Sequence, residues 1–120
     1  MRNILVIEDE ELLRESILHL LNINGFNAIG AENGSVGVGL AREVVPDLVL
    51  CDVRMPGING YDVLKELRND PITAKIPFVF VTAQTPQANF DQGQKLGANG
   101  YLRKPFSGAE LLAEIALLLK

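Results

Sequence analysis

The feature that most constrains this chain is a repeated arrangement, in which a short apolar run stops at a polar group and a turn-forming or acidic residue follows. Residues Leu48 to Gly60 show it most fully: Leu48, Val49, Leu50 and Cys51 end at Asp52, and Met55-Pro56-Gly57 and Gly60 follow. The run has the length of a strand buried on both faces, as in a parallel sheet. Pro56 and Gly57 cannot prolong it, because proline lacks a donor and glycine weakens regular structure. Ile4 to Ile7 likewise ends in Glu8-Asp9, Phe78 to Val81 in Thr82-Ala83, and Tyr101-Leu102-Arg103 in Lys104-Pro105. A residue capping its own turn would explain any one of these. Four such runs together deliver polar groups to one edge of one sheet, where open α/β sheets bind ligands.

Helical patterns separate the runs. Residues 3–7 predict the first strand, and Glu8-Asp9-Glu10-Glu11 then opens a helix whose positive dipole end suits acidic residues. Leu12, Leu13, Ser16, Ile17, Leu20 and Leu21 form its stripe, and Asn24-Gly25 ends it. His19 falls between stripe positions and reads as a surface residue, not a phosphotransfer histidine. Phe26 to Ile29 predict the second strand. Val36, Val38, Leu40, Ala41 and Val44 mark a second helix weakened by Gly34, Gly37 and Gly39. Tyr61 to Arg68 predict the third, with Val63, Leu64 and Leu67 inward, and Asn69-Asp70-Pro71 stops it. After the fourth strand, Phe78 to Val81, a fourth helix over 85–96 is the least apolar and is expected to be marginal and mobile. Tyr101 to Arg103 form the fifth strand. Ser107 and Glu110 have capping-box spacing before a fifth helix with Leu111, Leu112, Ile115, Leu118 and Leu119 as its apolar face.

Five strand–helix alternations without linker or repeat predict one α/β domain over residues 1–120. The expected architecture is a flavodoxin-like (βα)5 doubly wound parallel sheet of strand order 2-1-3-4-5. Its switch point lies between strands 1 and 3, so Glu8, Asp9 and Asp52 should meet there. A formal net charge of −4 argues against nonspecific binding to nucleic acid. One cysteine and one histidine leave no internal disulfide and no ordinary zinc set. Cys51 reads as a small buried hydrophobe beneath the site. No signal-peptide pattern and no membrane-length apolar run are visible, so a cytoplasmic protein is expected.

Three converging carboxylates repel one another, so one stays protonated or a cation neutralises them. Oxygen donors without soft ligands favour Mg²⁺. Asp9 and Asp52 are the expected direct ligands, with Glu8 acting through water.

Glu8-Asp9, Asp52 with the Met-Pro-x-x-x-Gly tail at Met55 to Gly60, Thr82-Ala83, Tyr101 and Lys104-Pro105 occur in that order. In these elements, spread over essentially the whole chain, the sequence resembles the receiver domain of two-component response regulators. The resemblance implies that Asp52 is the phosphoacceptor for a sensor histidine kinase or phosphotransfer protein. It adds the backbone carbonyl of Arg54 to the Mg²⁺ ligands. Lys104 and the Thr82 hydroxyl would contact phosphoryl oxygens, with backbone N–H groups near Arg54 and Ala83, and the Lys104–Pro105 bond would be cis. Thr82 and Tyr101 would form a switch that reshapes the face of the fourth helix, fifth strand and fifth helix. A solvated lysine and a half-buried strand tyrosine are the plain readings of Lys104 and Tyr101. Arg54 and Gln84 occupy positions that, in the family, tune the lifetime of the acyl phosphate.

Two other classes compete. A Mg²⁺-dependent phosphatase or phosphotransferase of dehalogenase-like type also uses a strand-end aspartate, but needs an acid two residues later, where Arg54 stands. A flavin-binding domain is opposed by Glu8-Asp9-Glu10-Glu11 where a phosphate-cradling loop belongs. The expected output is a downstream protein or a fused output domain. Leu117-Leu118-Leu119 supply more apolar surface than one stripe needs, which suggests a continued helix or a homodimer face.

Overall fold

The computed structural model describes residues 2–83 and 97–119. Five strands, β1 (Asn3–Ile7), β2 (Asn27–Ala31), β3 (Leu48–Asp52), β4 (Phe78–Thr82) and β5 (Gly100–Arg103), form one sheet in the order β2-β1-β3-β4-β5. Every neighbouring pair is parallel. The register sets Ile7 beside Cys51 and Asp52 beside Val81, so the carboxyl ends of β1, β3 and β4 share one edge. The flavodoxin-like expectation is therefore met in strand number, order and direction.

Strand alternation divides the core into two layers. Leu5, Ile7, Val49, Cys51, Phe78 and Phe80 point to one face, where α2 (Gly34–Val44) and α3 (Gly60–Asn69) contribute Val38, Ala41, Val63, Leu64 and Leu67. Ile4, Val6, Leu48, Leu50, Val79 and Val81 point to the other, where α1 (Glu11–Ile23) and the last helix (Gly108–Leu118) contribute Ile17, Leu21, Leu111 and Ile115. Each fully buried aliphatic side chain is worth about 1.5–3 kcal/mol relative to exposure, so this double layer fixes the sheet. Ser107 caps the last helix through the expected capping box with Glu110. Among the described residues, no helix is long and apolar enough to cross a membrane.

Several expectations need correction. Helix α1 begins at Glu11, not at Glu8, because Glu8 extends β1 by donating its N–H to the Ala31 carbonyl at 3.0 Å. Leu12 is 80% exposed and does not join the inward stripe. With Ser16, His19 and Ile23 it lies on the solvent side of the helix, at four- and three-residue spacing. Strand β2 starts at Asn27, since the Phe26 N–H bonds the Leu21 carbonyl at the end of α1. Helix α2 is complete despite its glycines: a Cβ on Gly34 would lie 2.5 Å from Ile58 Cγ1, and one on Gly37 would lie 2.4 Å from Ile7 Cδ1. These two glycines let the helix approach the core closely. The expected helix over 85–96, with Gln84, lies outside the described residues.

Candidate functional site: an acidic pocket at the strand ends

The edge shared by β1, β3 and β4 brings Glu8, Asp9 and Asp52 together. Glu8 and Asp52 are buried, Asp9 is exposed, and one carboxylate oxygen from each lies within 4.8 Å of the others. Lys104 reaches in from beyond β5, with Nζ 3.0 Å from Glu8 Oε1 and 3.1 Å from Asp52 Oδ2. Its backbone is anchored by a 2.8 Å bond from its N–H to the Thr82 carbonyl, and its bond to Pro105 is cis. A solvated lysine is thus not what stands here.

The electrostatics follow from this crowding. Burial pushes the Glu8 carboxyl up, and the facing Asp52 pushes it further, to about 7; the Glu10 N–H and Lys104 pull the other way. Burial works to lower the Lys104 ammonium, but Glu8 and Asp52 outweigh it and hold it above its ordinary value. Cys51 is fully buried, its thiol pushed well up by burial and then by Asp52 and Glu8. It donates weakly to the Asp52 carbonyl at 3.2 Å, as a small hydrophobe beneath the site would.

The loop after Asp52 closes tightly. The Gly60 N–H bonds the Val53 carbonyl at 2.8 Å, and a Cβ on Gly60 would lie 2.4 Å from the Asp52 carbonyl oxygen. Only glycine fits that approach. Gly57, at φ +81°, makes the turn that leads there. Asn59 and Asp62 form a capping box at the start of α3, whose three-residue spacing is a signal already present in the sequence.

The remaining predicted residues occupy distinct places. Thr82 is buried at the end of β4, and Ala83 follows it into the open. Arg54 is exposed in the loop two residues past Asp52. Tyr101 lies outside the acidic pocket, on the α3 side of the sheet opposite Phe80. Its hydroxyl is buried and its ring centroid stands 5.5 Å from that of Phe80. Thr82 and Phe80 alternate to the same face of β4, so Thr82 is a diagonal neighbour of Tyr101. Tyr61, in the first turn of α3, was not singled out from the sequence; its ring is 5.1 Å from Phe80. Burial and then the Tyr61 side chain raise the Tyr101 phenol well above its ordinary value.

A doubly wound parallel sheet with an acidic pocket at its switch point defines the class of this protein, and comparison with known proteins narrows it. The family model for the response regulator receiver domain matches residues 4–116, and the chain belongs to that family. It is 38% identical over 119 residues to the phosphate regulon transcriptional regulatory protein PhoB of Escherichia coli, and covers 99% of this chain and 52% of that one. It thus spans about half the length of that relative. Protein PilH of Pseudomonas aeruginosa is 36% identical, with 99% of this chain and 98% of that protein covered. Among solved structures, chemotaxis protein CheY4 of Vibrio cholerae superposes with a TM-score of 0.95 at 27% identity, covering 99% of both chains. Receiver domains bind Mg²⁺ at an acidic pocket and act with histidine kinases and output domains. The chain is a signalling domain, not a metabolic enzyme, and the dehalogenase-like alternative finds no support.

Proposed function

We propose that Asp52 accepts a phosphoryl group from the phosphohistidine of a sensor histidine kinase or phosphotransfer protein, and that Thr82 and Tyr101 turn the event into a change of surface. The observation that carries this reading is the Lys104 ammonium, held 3.0 Å from Glu8 and 3.1 Å from Asp52 at a strand-end pocket. An Asp52 oxygen attacks phosphorus, the phosphorus–nitrogen bond breaks, and the electron pair leaves with the imidazole. Lys104, which balances the free carboxylate, then pairs with a phosphoryl oxygen. The Thr82 hydroxyl donates to another oxygen, and the backbone N–H groups of Arg54 and Ala83 donate to the rest.

The donor set fits a hard divalent cation. Every side-chain ligand is a carboxylate oxygen, and burial and then Asp52 lift Glu8 to about 7, a penalty on its charged form that a cation would offset. Asp9, Asp52 and the Arg54 carbonyl would hold Mg²⁺ directly, with Glu8 through water. When bound, Mg²⁺ neutralises charge between the anionic nucleophile and the anionic phosphoryl group.

The reading extends to self-catalysed phosphorylation and dephosphorylation, with Arg54 and Gln84 setting the lifetime, and to residues 1–120 as one receiver unit in the cytoplasm. Output passes to a downstream protein or a fused output domain, or through a homodimer, on the face of 85–96, β5 and the last helix. Residues 85–96 of that face lie outside the described residues. The test is intact mass after incubation with acetyl phosphate. One phosphoryl adduct is expected on the wild type with Mg²⁺, and none with chelator or on Asp52→Asn. An adduct that survives Asp52→Asn would refute the assignment.

A further inference from the structure

We infer that Tyr61 is a positioning residue of the switch: it holds Tyr101 in its inward rotamer and ties that rotamer to the backbone around Asp52. The inference rests on the Thr82–Tyr101 reading above and adds to it a member on a third element.

Three observations carry it. The first is mechanical. Tyr61 follows Gly60, whose N–H bonds the Val53 carbonyl at 2.8 Å. A Cβ on Gly60 would lie 2.4 Å from the Asp52 carbonyl oxygen and 2.9 Å from Val53 Cα. The first turn of α3 therefore rests on the backbone of the phosphoacceptor strand, and Tyr61 moves when that backbone moves.

The second is packing. Tyr61, Phe80 and Tyr101 form a row of rings with centroids 5.1 and 5.5 Å apart, spanning α3, β4 and β5. Spacings in this range are those of favourable tilted aromatic pairs. Phe80 is two residues before Thr82 on the same face of β4, so the row runs alongside the residue that contacts the phosphoryl group in the proposed reaction.

The third is polar. The Tyr101 hydroxyl is buried, and buried phenols need a polar neighbour. Tyr61 supplies a polar neighbour, since its side chain, after burial itself, is what raises the Tyr101 phenol. An outward rotamer of Tyr101 would leave this neighbourhood for solvent. The inward rotamer is thus supported from the Asp52 side before any phosphoryl group arrives, and Tyr61 sets how much of the switch is already thrown at rest.

The chain offers a clean probe, because it holds two tyrosines and no tryptophan. Uniform 3-fluorotyrosine labelling gives one ¹⁹F resonance per tyrosine, and Tyr61→Phe leaves Tyr101 alone. In wild type without phosphoryl donor, the Tyr101 resonance should show the small solvent-isotope shift of a buried ring. In Tyr61→Phe, with thermal midpoint and circular dichroism checked for folding, the inward-to-outward ratio should fall about fivefold, the worth of one ordinary polar contact. Beryllofluoride with Mg²⁺ should restore the inward signal. The fall in resting occupancy should also enlarge the beryllofluoride-induced amide shifts in β5, and that enlargement should vanish in a Tyr101→Phe background. A Tyr101 resonance unmoved by Tyr61→Phe in a folded protein overturns the inference alone, as does an equal effect of Tyr61→Phe on those shifts in the Tyr101→Phe background. A Tyr101 that moves outward in Tyr61→Phe but is not drawn back by beryllofluoride overturns the switch reading, and the regulatory half of the inference with it.

Discussion

At the scale of single residues, the site is governed by one buried carboxyl. Glu8 ordinarily titrates near 4.5, and in the fold burial and then Asp52 raise it to about 7. The folded state therefore binds the Glu8 proton more tightly than the unfolded chain does. The stability this contributes is fully present below about pH 4.5 and is lost as pH rises through about 7. Metal-free protein should accordingly show a thermal midpoint that falls between pH 5 and 8, and Glu8→Gln should flatten that fall. Saturating Mg²⁺ should flatten it too, by taking over the compensation. An unchanged slope in Glu8→Gln would show that another group controls it. Removing the ammonium in Lys104→Ala should move the fall to higher pH, because Lys104 is one of the groups that pull Glu8 down. Glu8, Asp9, Asp52 and Lys104 were legible in the sequence because each sits where an apolar run ends, and topology alone gathers strand ends. Tyr61 was not, because its relation to Tyr101 depends on side-chain directions on α3, β4 and β5 at once.

At the scale of elements, glycine carries two opposite meanings. Propensity reads Gly34, Gly37 and Gly39 as three weaknesses of one helix. Packing separates them: Cβ atoms at Gly34 and Gly37 would press on Ile58 and Ile7, while one at Gly39 would meet nothing within 4 Å. Gly39→Ala should then stabilise the protein by roughly 0.5–1 kcal/mol through helix propensity alone, read as a raised urea midpoint at constant m-value. Gly60→Ala should do the reverse, losing about 1–3 kcal/mol, because the atom it meets is backbone and cannot turn aside. It should also lower the acetyl phosphate adduct, since the displaced atoms belong to Asp52 and Val53. A sequence pattern records that a glycine is present but not which neighbour it admits. The same limit misplaced Leu12, which lies on the solvent side of α1 with Ser16, His19 and Ile23.

At the scale of the whole molecule, the strand order was legible because alternation and handedness leave few topologies for five parallel strands. A polar fastening on the far side of the sheet was not legible, because it depends on one side chain of α3 reaching two separate segments. Arg68, near the end of α3, donates Nη1 to the Ile76 carbonyl at 2.8 Å, just before β4. Its Nη2 donates to the Gly97 carbonyl at 2.9 Å and to Asn99 Oδ1 at 3.0 Å, at the entry to β5. Asn99 in turn accepts from the Phe78 N–H at 2.9 Å and donates its own N–H to the Phe78 carbonyl at 2.8 Å. The guanidinium thus fastens α3 to the segments that enter β4 and β5, and burial lowers its pKa. Hydrogen bonds from a charged donor are worth about 1.5–3 kcal/mol each when made, but the segments they join are held by the sheet as well. Arg68→Ala should therefore cost about 2–3 kcal/mol in urea unfolding. Arg68→Lys should recover only part of it, since one ammonium cannot serve both segments in the planar fork geometry. Amide exchange should quicken at Asn99 and through β5, while β1 and β2 keep their protection. Uniform acceleration across all five strands would mean that Arg68 supports the fold as a whole and not the link between α3 and the switch strand.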